Sequence, residues 1–588
     1  MKLIAKLKKT FFLLFFFLSL SAMFGPVLLE NYERAKNPYI YSSDARQSIS
    51  YFYKHQDPDL FPDTYALEYF NELEAYGYRA FFKIGSYFMD VGRLSKVLPF
   101  VLLGLTLTFL ALAAFQISGL AGAWAVVAIS LSSGFLLQAL GGATPRAFAY
   151  PLVVLAIYAL TLGRIYLLFL CVVAGTLFYP MAGVLIGANI VAVLFLLPKE
   201  DRGDAKEWSL KKRVLLTLGL IILSLSILQP QMSGLKEKYG RSFTQDDCST
   251  VPEIGLEGRM GAIEGMCGDI PHLPEELLAH SKHAILFVYG AKTWSIDHYE
   301  LAQIMLRDAI GNLDRDDLLT IIIWLFVTVG ISYRAFWKND SVIRRWLSLL
   351  AVSCVAYIIA RAFVPTFYFP NRYLYPVGPL FILFIFAATH ITPELLAKKF
   401  PRLNQKWIKP YLIVGVTITL LLFLGSHGNP NGGLPNDRQF NKQIYKFVAT
   451  LPKDVVIAGW PKGALEDLPL ITQRQNFASH SHHHTFHLGF VLEMRRRTTA
   501  LINAYFATSI EPIKNLKDSY GVTHLIIHKA LFKDYPPRHF SPFFKMAIKK
   551  REMGRKDGFE ALRQAEFAAV FKWQDYVILD LSLLKVAG

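Results

Sequence analysis

Apolar stretches of membrane length recur through the first 426 residues of this 588-residue chain. A helix needs about 20 mostly apolar residues to cross the hydrocarbon core of a bilayer, where every backbone polar group must be satisfied internally. By that measure the sequence predicts about eleven membrane-spanning helices. They lie near residues 10–30, 97–116, 119–140, 147–163, 165–180, 181–198, 213–229, 317–334, 346–364, 372–391 and 409–426.

The net charge of +17 could suggest a nucleic-acid partner, but its distribution argues against one. The chain is 53% hydrophobic and only 18% charged, which also excludes a disordered protein. Lys and Arg stand in short clusters between the apolar segments, the usual pattern of membrane proteins. We therefore expect a multi-pass α-helical membrane protein with the lipid bilayer, and no nucleic acid, as its partner.

The basic clusters also predict an orientation. With the N-terminus inside, "MKLIAKLKK", "KEDRGDAKEWSLKKR", "YRAFWKNDSVIRR" and "AKKFPRLNQKWIK" all fall on the cytoplasmic side, as the positive-inside bias requires. Two long segments, loop 1 (residues 31–96) and loop 2 (residues 230–316), and the end of the chain then lie outside. We expect an inner or plasma membrane location, a cytoplasmic N-terminus and an extracytoplasmic C-terminal domain.

The first span has two interpretations. "MKLIAKLKKTFFLLFFFLSLSA" has the basic start and apolar centre of a signal peptide. The apolar character continues through "MFGPVLL", which favours an uncleaved anchor. Cleavage would leave every other segment on the same side.

The four cysteines fall into two groups. Cys171 and Cys354 lie in apolar segments, whereas Cys248 and Cys267 share loop 2. We expect Cys248 and Cys267 to form a disulfide if loop 2 faces an oxidising compartment.

The C-terminal domain, residues 427–588, follows the membrane domain of residues 1–426. It opens with a linker rich in Gly, Pro and Asn, "GSHGNPNGGLPND". "KDVVIAGW", "VTHLIIH" and "FAAVFKWQDYVILDL" have the composition of strands, and "LGFVLEMRRRTTALINAYFA" has the spacing of an amphipathic helix. The pattern predicts a small soluble α/β domain.

Loop 1 places an acid soon after the first span, in "YSSDARQS". Asp44 could cap a helix that begins near Ala45, because Asp is a favoured N-cap residue. That role is compatible with catalysis. Further along, Asp57, Asp59 and Asp63 in "HQDPDLFPD" offer a second carboxylate, although the segment also fits an ordinary loop with two proline turns.

This arrangement resembles the GT-C superfamily of polytopic glycosyltransferases, which use polyprenyl-phosphate-linked sugars. The resemblance covers the inner N-terminus, the long first outer loop with its Asp, the many spans and the outer C-terminal domain. It implies that Asp44 is the base or metal-associated acid, and that the C-terminal domain covers a membrane-embedded cavity. Many relatives carry two adjacent acids here, whereas Ala45 and Arg46 follow Asp44. Dependence on a divalent metal therefore stays open.

The chemistry implied by the resemblance needs few groups. A carboxylate accepts the proton of the attacking hydroxyl, and arginines stabilise the departing phosphate. Arg146 in "GGATPRAFAYP", Arg372 in "FYFPNRYLYP" and Arg361 stand near predicted outer helix ends. Interfacial snorkelling or structural ion pairing is the alternative for each. Arg46 either pairs with Asp44 or contacts the donor phosphate itself.

A histidine-rich segment, "SHSHHHTFHLGF", could bind a metal. His480, His482 and His484 would share one face of a strand, and imidazole is a common zinc ligand. No familiar zinc motif completes the set, so a polar loop near the membrane surface is the alternative.

The function predicted from the sequence is transfer of a sugar from a polyprenyl-phosphate-linked donor to a glycan, lipid or protein acceptor outside the membrane. The sequence lacks Walker A and Rossmann motifs, which argues against nucleotide-driven transport and nucleotide-dependent redox chemistry. Two alternatives remain: a transporter or flippase of lipid-linked sugars, and a non-catalytic component of an envelope polysaccharide assembly complex.

Overall fold

A computed structural model gives the three-dimensional structure of the chain. It describes residues 2–42, 44–62, 65–132, 135–244, 246–254, 277, 315–363, 369–389, 413–417, 434, 436–460, 463–482, 486–532 and 559–584. The helices of its membrane part are α1 (Lys2–Lys36), α2 (Ala45–Ser48), α3 (Tyr65–Leu73), α4 (Tyr76–Ser86), α5 (Val91–Ser132), α6 (Phe135–Leu140), α7 (Ala149–Leu162), α8 (Ile165–Phe178), α9 (Pro180–Val191), α10 (Leu210–Tyr239), α11 (Asp247–Thr250), α12 (Arg315–Ser332), α13 (Ser341–Ala362) and α14 (Val377–Ala388).

Several of these helices can cross a bilayer. Five helical segments within the described residues are long and apolar enough, namely Val91–Ser132, Pro145–Leu162, Leu210–Tyr239, Ser341–Ala362 and Pro370–Ala388. Three apolar helices are shorter, namely Ile165–Phe178, Pro180–Leu196 and Ile321–Trp337. These segments support an integral membrane protein. The count of about eleven spans stays a prediction, and most of the last predicted span lies outside the described residues.

Two connections between predicted spans are very short. No loop separates the second and third predicted spans: α5 runs through both and kinks at Gly119. Gly119 has a φ of 68°, a backbone conformation that glycine adopts at little cost. Helices α8 and α9 follow each other directly and pack closely. A Cβ atom added to Gly175 would lie 2.6 Å from the Gly183 amide nitrogen.

Helix α10 continues beyond its predicted end at residue 229. It passes through Pro230 and reaches Tyr239, so the first residues of loop 2 are helical. The Gln231 side-chain amide donates to the carbonyl oxygens of Glu72 (2.8 Å) and Glu74 (2.9 Å), which fastens α10 to loop 1.

The cysteines of the described residues differ in state. Cys171 and Cys354 are free, and Cys248 is disulfide-bonded. Cys267 lies outside the described residues, so the pairing of Cys248 with Cys267 stays a prediction.

The C-terminal domain contains a small mixed sheet. The strands among the described residues are β1 (Ile40–Tyr41), β2 (Asn436–Asp437), β3 (Val456–Gly459), β4 (Gln475–Asn476), β5 (His524–His528), β6 (Ala569–Trp573) and β7 (Tyr576–Asp580). The helices among them are α15 (Lys442–Thr450), α16 (Leu468–Ile471), α17 (Leu488–Tyr505), α18 (Glu511–Tyr520) and α19 (Glu560–Gln564). Five strands form one sheet in the order β4-β3-β5-β7-β6.

Helices cover both faces of the sheet. Successive side chains of a strand point to opposite faces, so neighbouring residues of β5 pack against different helices. Leu525 and Ile527 pack in the cluster that contains α17, and Ile526 packs in the cluster that contains α15. The predicted α/β character is thus present in the described residues. One predicted strand, "FAAVFKWQDYVILDL", is instead the antiparallel hairpin β6–β7.

Strands β1 and β2 connect loop 1 to the start of the C-terminal domain. Ile40 pairs with Asp437 and Tyr41 with Asn436 in an antiparallel ladder, and the Arg438 amide donates to the Tyr39 carbonyl at 2.9 Å. The C-terminal domain therefore begins against the segment that leads into Asp44. The predicted domain boundary after residue 426 stays a prediction, because residues 418–433 lie outside the described residues.

Candidate functional site

Asp44 stands immediately before α2, where the sequence predicted a helix to begin. Its backbone is helical (φ −73°, ψ −22°), and its side chain makes no capping hydrogen bond. The carboxylate forms an ion pair with the Arg146 guanidinium. Both side chains are partly open to solvent, 43% of Asp44 and 29% of Arg146. Helix capping therefore does not account for the presence of an acid at position 44. The partial exposure of both side chains leaves the ion pair accessible to a ligand.

A tight turn brings Arg146 to Asp44. Gly142 (φ 75°) and Ala143 (φ 51°) are both left-handed, which costs alanine about 1 kcal/mol or more and glycine little. A Cβ atom on Gly142 would lie 2.6 Å from the Ser42 Cβ, so this turn packs directly against the residues before Asp44. The 3₁₀ turn Pro145–Phe148 then carries Arg146 into α7.

Arg372 is presented by a second turn of the same design. Phe369 is left-handed (φ 59°), and Pro370 opens a 3₁₀ turn that leads towards α14. The Arg372 guanidinium lies 3.6 Å from the centroid of the Phe369 ring and within electrostatic range of Arg146. Two guanidinium groups that are close together repel each other, so their convergence favours an anion between them.

Three tyrosines accompany the arginines. The rings of Tyr150 and Tyr375 are 5.2 Å apart, and those of Tyr179 and Tyr375 are 6.2 Å apart. All three lie within electrostatic range of Arg146. Phenolic hydroxyls can donate to phosphate or sugar oxygens, and the aromatic rings can pack against apolar groups. This cluster therefore suits a ligand that has a polar group and an apolar part.

Glu74, between α3 and α4, is a second carboxyl that the sequence interpretation missed. Its side chain bonds with Ser48, the last residue of α2, and it lies within electrostatic range of Arg372 and Arg79. Burial raises the pKa of Glu74 to about 8 against the opposing effects of these three residues, so its carboxyl carries a proton at neutral pH. The sequence "NELEAYG" offers Glu72 equally well, so no local signal could have selected Glu74.

Arg46 is directed to the C-terminal domain. Its Nη1 lies 3.1 Å from Asp467 Oδ1 and 3.2 Å from Glu466 Oε2, and only 12% of its side chain is exposed. Burial against two carboxylates satisfies the guanidinium charge. We therefore reassign Arg46 from the predicted phosphate-binding set to a contact between loop 1 and the C-terminal domain.

The other acids of loop 1 have different surroundings. Asp57 forms an ion pair with Lys453 of the C-terminal domain, and this hydrogen-bonded ammonium lowers the pKa of Asp57. Asp57 also accepts the Asp59 amide at 3.3 Å, as in an ordinary Asx turn. Asp59 is exposed, and Asp63 lies outside the described residues. Glu74 is therefore the better candidate for a second carboxyl.

The histidine segment does not have the predicted geometry. His480–His482 form a single 3₁₀ turn, so the alternating face of a strand is not formed there, and His484 lies outside the described residues. The nearby His487 is buried, with its Nδ1 3.0 Å from the Tyr69 hydroxyl, and burial lowers its pKa to about 4. Among the described residues, no group of three or more His, Cys, Asp or Glu side chains could hold a metal ion.

Arg361 lies in the last turn of α13. Its place in a phosphate-binding set stays a prediction. The structure thus brings together Asp44, Arg146 and Arg372, together with Glu74.

No protein-family model and no curated protein matches the chain. Among solved structures, the oligosaccharyltransferase of Archaeoglobus fulgidus in its apo form is similar at 10% sequence identity, over 87% of this chain and 70% of that chain, with a TM-score of 0.45.

Structures of ArnT from Cupriavidus metallidurans are also similar. The apo form has 12% identity over 96% of this chain and 98% of that chain, with a TM-score of 0.40. The form bound to undecaprenyl phosphate has 10% identity over 95% and 97%, with a TM-score of 0.38. Both neighbours are GT-C glycosyltransferases. At sequence identities of 10–12% these similarities assign neither a function nor a residue role to this chain.

Proposed function

We propose that the chain is an integral-membrane glycosyltransferase that moves a sugar from a polyprenyl-phosphate-linked donor to an acceptor outside the membrane. The observation that carries this proposal is the ion pair of Asp44 with Arg146, beside Arg372 and at the start of a membrane-spanning helix. The cluster combines a carboxylate that can accept a proton with cations that can hold a phosphate, and glycosyl transfer needs both.

Donor binding would use the two arginines. Guanidinium groups match phosphate oxygens in a forked geometry, so the donor phosphate lies between Arg146 and Arg372. The phosphate then competes with Asp44 for Arg146, and its arrival releases the Asp44 carboxylate. Binding of the donor thereby prepares the base.

Transfer then proceeds without any further co-reactant. The acceptor hydroxyl gives its proton to Asp44 while its oxygen forms a bond to the anomeric carbon. The bond between that carbon and the phosphate oxygen breaks, and its electron pair leaves with the polyprenyl phosphate. Arg146 and Arg372 stabilise the charge that develops on the phosphate.

Glu74 has a separate role in this scheme. Its protonated carboxyl donates a hydrogen bond to the donor without adding a negative charge beside Arg372.

Binding of undecaprenyl phosphate in detergent tests the arrangement. We expect purified wild-type protein to bind this lipid, and Arg146→Gln and Arg372→Gln each to weaken binding about 10- to 100-fold, the usual effect of losing a charge-assisted hydrogen bond. Arg93→Gln is the control, because Arg93 is exposed in the first turn of α5, and it should leave the affinity unchanged. Equal affinity in all four proteins would overturn the assignment.

A further inference from the structure

The short turn that carries Asp44 is attached to the C-terminal domain on both sides. Before it, β1 pairs with β2. Within it, Arg46 pairs with Glu466 and Asp467, and the Gln47 side-chain amide donates to the Ser481 carbonyl. These contacts come from different parts of the C-terminal domain, yet all of them reach the residues next to Asp44.

The ion pairs belong to a buried, charge-balanced cluster. Asp467 is completely buried and also accepts from Arg438 Nε and the Tyr445 hydroxyl, each at 3.1 Å. Glu466 is 3% exposed. Two arginines thus face two carboxylates, and a buried carboxylate that lost its partner would carry an unfavourable charge. The cluster therefore has a strong preference for one geometry.

The helix itself cannot supply that rigidity. α2 is only four residues long, and so short a helix has no stability of its own. Asp44 and Arg46 are two positions apart, which is about 200° around a helix of 3.6 residues per turn. Arg46 can therefore be held by Glu466 and Asp467 while Asp44 is directed to Arg146.

We propose that the C-terminal domain positions the catalytic carboxylate: the buried cluster of Arg46, Glu466, Asp467 and Arg438 fixes the turn that presents Asp44 to Arg146. Arg46, Glu466 and Asp467 are positioning residues. They act on the reaction through Asp44 and not through contact with the substrate. This inference rests on the proposed role of Asp44. It assigns to the C-terminal domain a function beyond covering the site.

Hydrogen–deuterium exchange of the full-length protein tests the inference without a known substrate. The amides of Gln47 and Ser48 bond to the Asp44 carbonyl, and that of Ile49 bonds to the Ala45 carbonyl, so they report on the turn. We expect Arg46→Gln to speed their exchange about tenfold or more, and Arg46→Lys, which keeps the charge, to restore part of the protection. Arg496→Gln is the control, because Arg496 is in an exposed ion pair with Glu493.

Undecaprenyl phosphate binding separates positioning from phosphate contact. Arg46→Gln should lose no more than about twofold of its affinity for this lipid, because Arg146 and Arg372 are untouched. With a transferable donor, kcat should fall while KM stays unchanged. Unchanged exchange in Arg46→Gln, or a loss of affinity as large as that of Arg146→Gln, would overturn the inference.

A milder variant keeps the test decisive if Arg46→Gln does not fold. Gln47→Ala removes one hydrogen bond and no charge, and it should speed exchange of the same amides severalfold; unchanged exchange would count against positioning.

If wild-type protein binds no undecaprenyl phosphate, the proposed function fails, whereas the exchange measurement still decides whether the C-terminal domain holds the turn.

Discussion

Glu74 and Asp44 are two carboxyls near Arg146 and Arg372 that have different surroundings. The Asp44 carboxylate is partly exposed and paired with Arg146, whereas burial raises the pKa of Glu74 to about 8. An acid that is neutral at pH 7 can donate a hydrogen bond beside Arg372, the arginine that we propose binds the donor phosphate.

This difference predicts a pH dependence. As the pH rises through about 8, Glu74 loses its proton and becomes an anion that competes with the donor phosphate for Arg372. We expect the affinity for undecaprenyl phosphate to fall about tenfold between pH 7 and pH 9, as when one charged contact is lost. Binding titrations at several pH values measure this.

The control for this prediction is a pair of variants. Glu74→Gln stays neutral, so its affinity should be independent of pH in this range. Glu30→Gln, at an exposed position of α1, should behave like wild type. A pH profile of Glu74→Gln identical to that of wild type would contradict the role of Glu74.

The sequence could indicate Asp44 and Arg146 because each stands at a recognisable place, after a span and at the start of one. Glu74 and Arg46 could not be assigned in this way. The environment of Glu74 depends on Arg372, almost 300 positions away, and the partners of Arg46 lie in the C-terminal domain. Such contacts leave no pattern in the local sequence.

At the scale of helices, glycines decide how closely neighbours pack. A Cβ atom on Gly175 would lie 2.6 Å from the Gly183 amide nitrogen, whereas nothing lies within 4 Å of one on Gly219 in α10. We expect Gly175→Ala to destabilise the protein by about 1–3 kcal/mol through overpacking. Gly219→Ala should be neutral or stabilise the protein by up to about 1 kcal/mol.

Thermal unfolding in detergent measures both variants. A lower midpoint for Gly175→Ala and an equal or higher one for Gly219→Ala is the expected result. Equal midpoints for the two variants would show that α8 and α9 are not packed as closely as described.

Element types were predictable from apolar length and alternation, but their ends were not. Gly119 kinks α5 where two spans were predicted, since a left-handed glycine can redirect a helix without a loop. The β6–β7 hairpin turns at Gln574 (φ 49°) and Asp575. This turn lacks the Gly that usually marks a two-residue hairpin, so the segment resembled one strand.

At the scale of the whole molecule, the orientation in the membrane follows from the basic clusters and stays a prediction. We expect the C-terminal domain outside and the segment between α9 and α10 inside. Lys572→Cys in β6 and Lys206→Cys, both at exposed positions, test this. In spheroplasts, an impermeant maleimide should label Lys572→Cys at once and Lys206→Cys only after permeabilisation. The reverse labelling pattern would show the opposite topology, with Asp44 on the cytoplasmic side.

Long-range assembly is where the sequence was least informative. The apolar helices and the small C-terminal sheet were predictable from composition and sequence pattern. The pairing of β1 with β2, and of Arg46 with Asp467, was not, because ion pairs and two-residue ladders carry no periodic signal. These contacts nevertheless set the place of Asp44.

The most direct measurement of the central claim is glycosyl transfer by the purified protein from a panel of polyprenyl-phosphate-linked sugars. We expect wild-type protein to turn over at least one donor, and Asp44→Asn to slow turnover about 100- to 10,000-fold, the usual contribution of a general base. Asp59→Asn, an exposed neighbour in the same loop, should stay within about twofold of wild type. Undiminished transfer by Asp44→Asn, or no transfer from any donor by the wild type, would contradict the account.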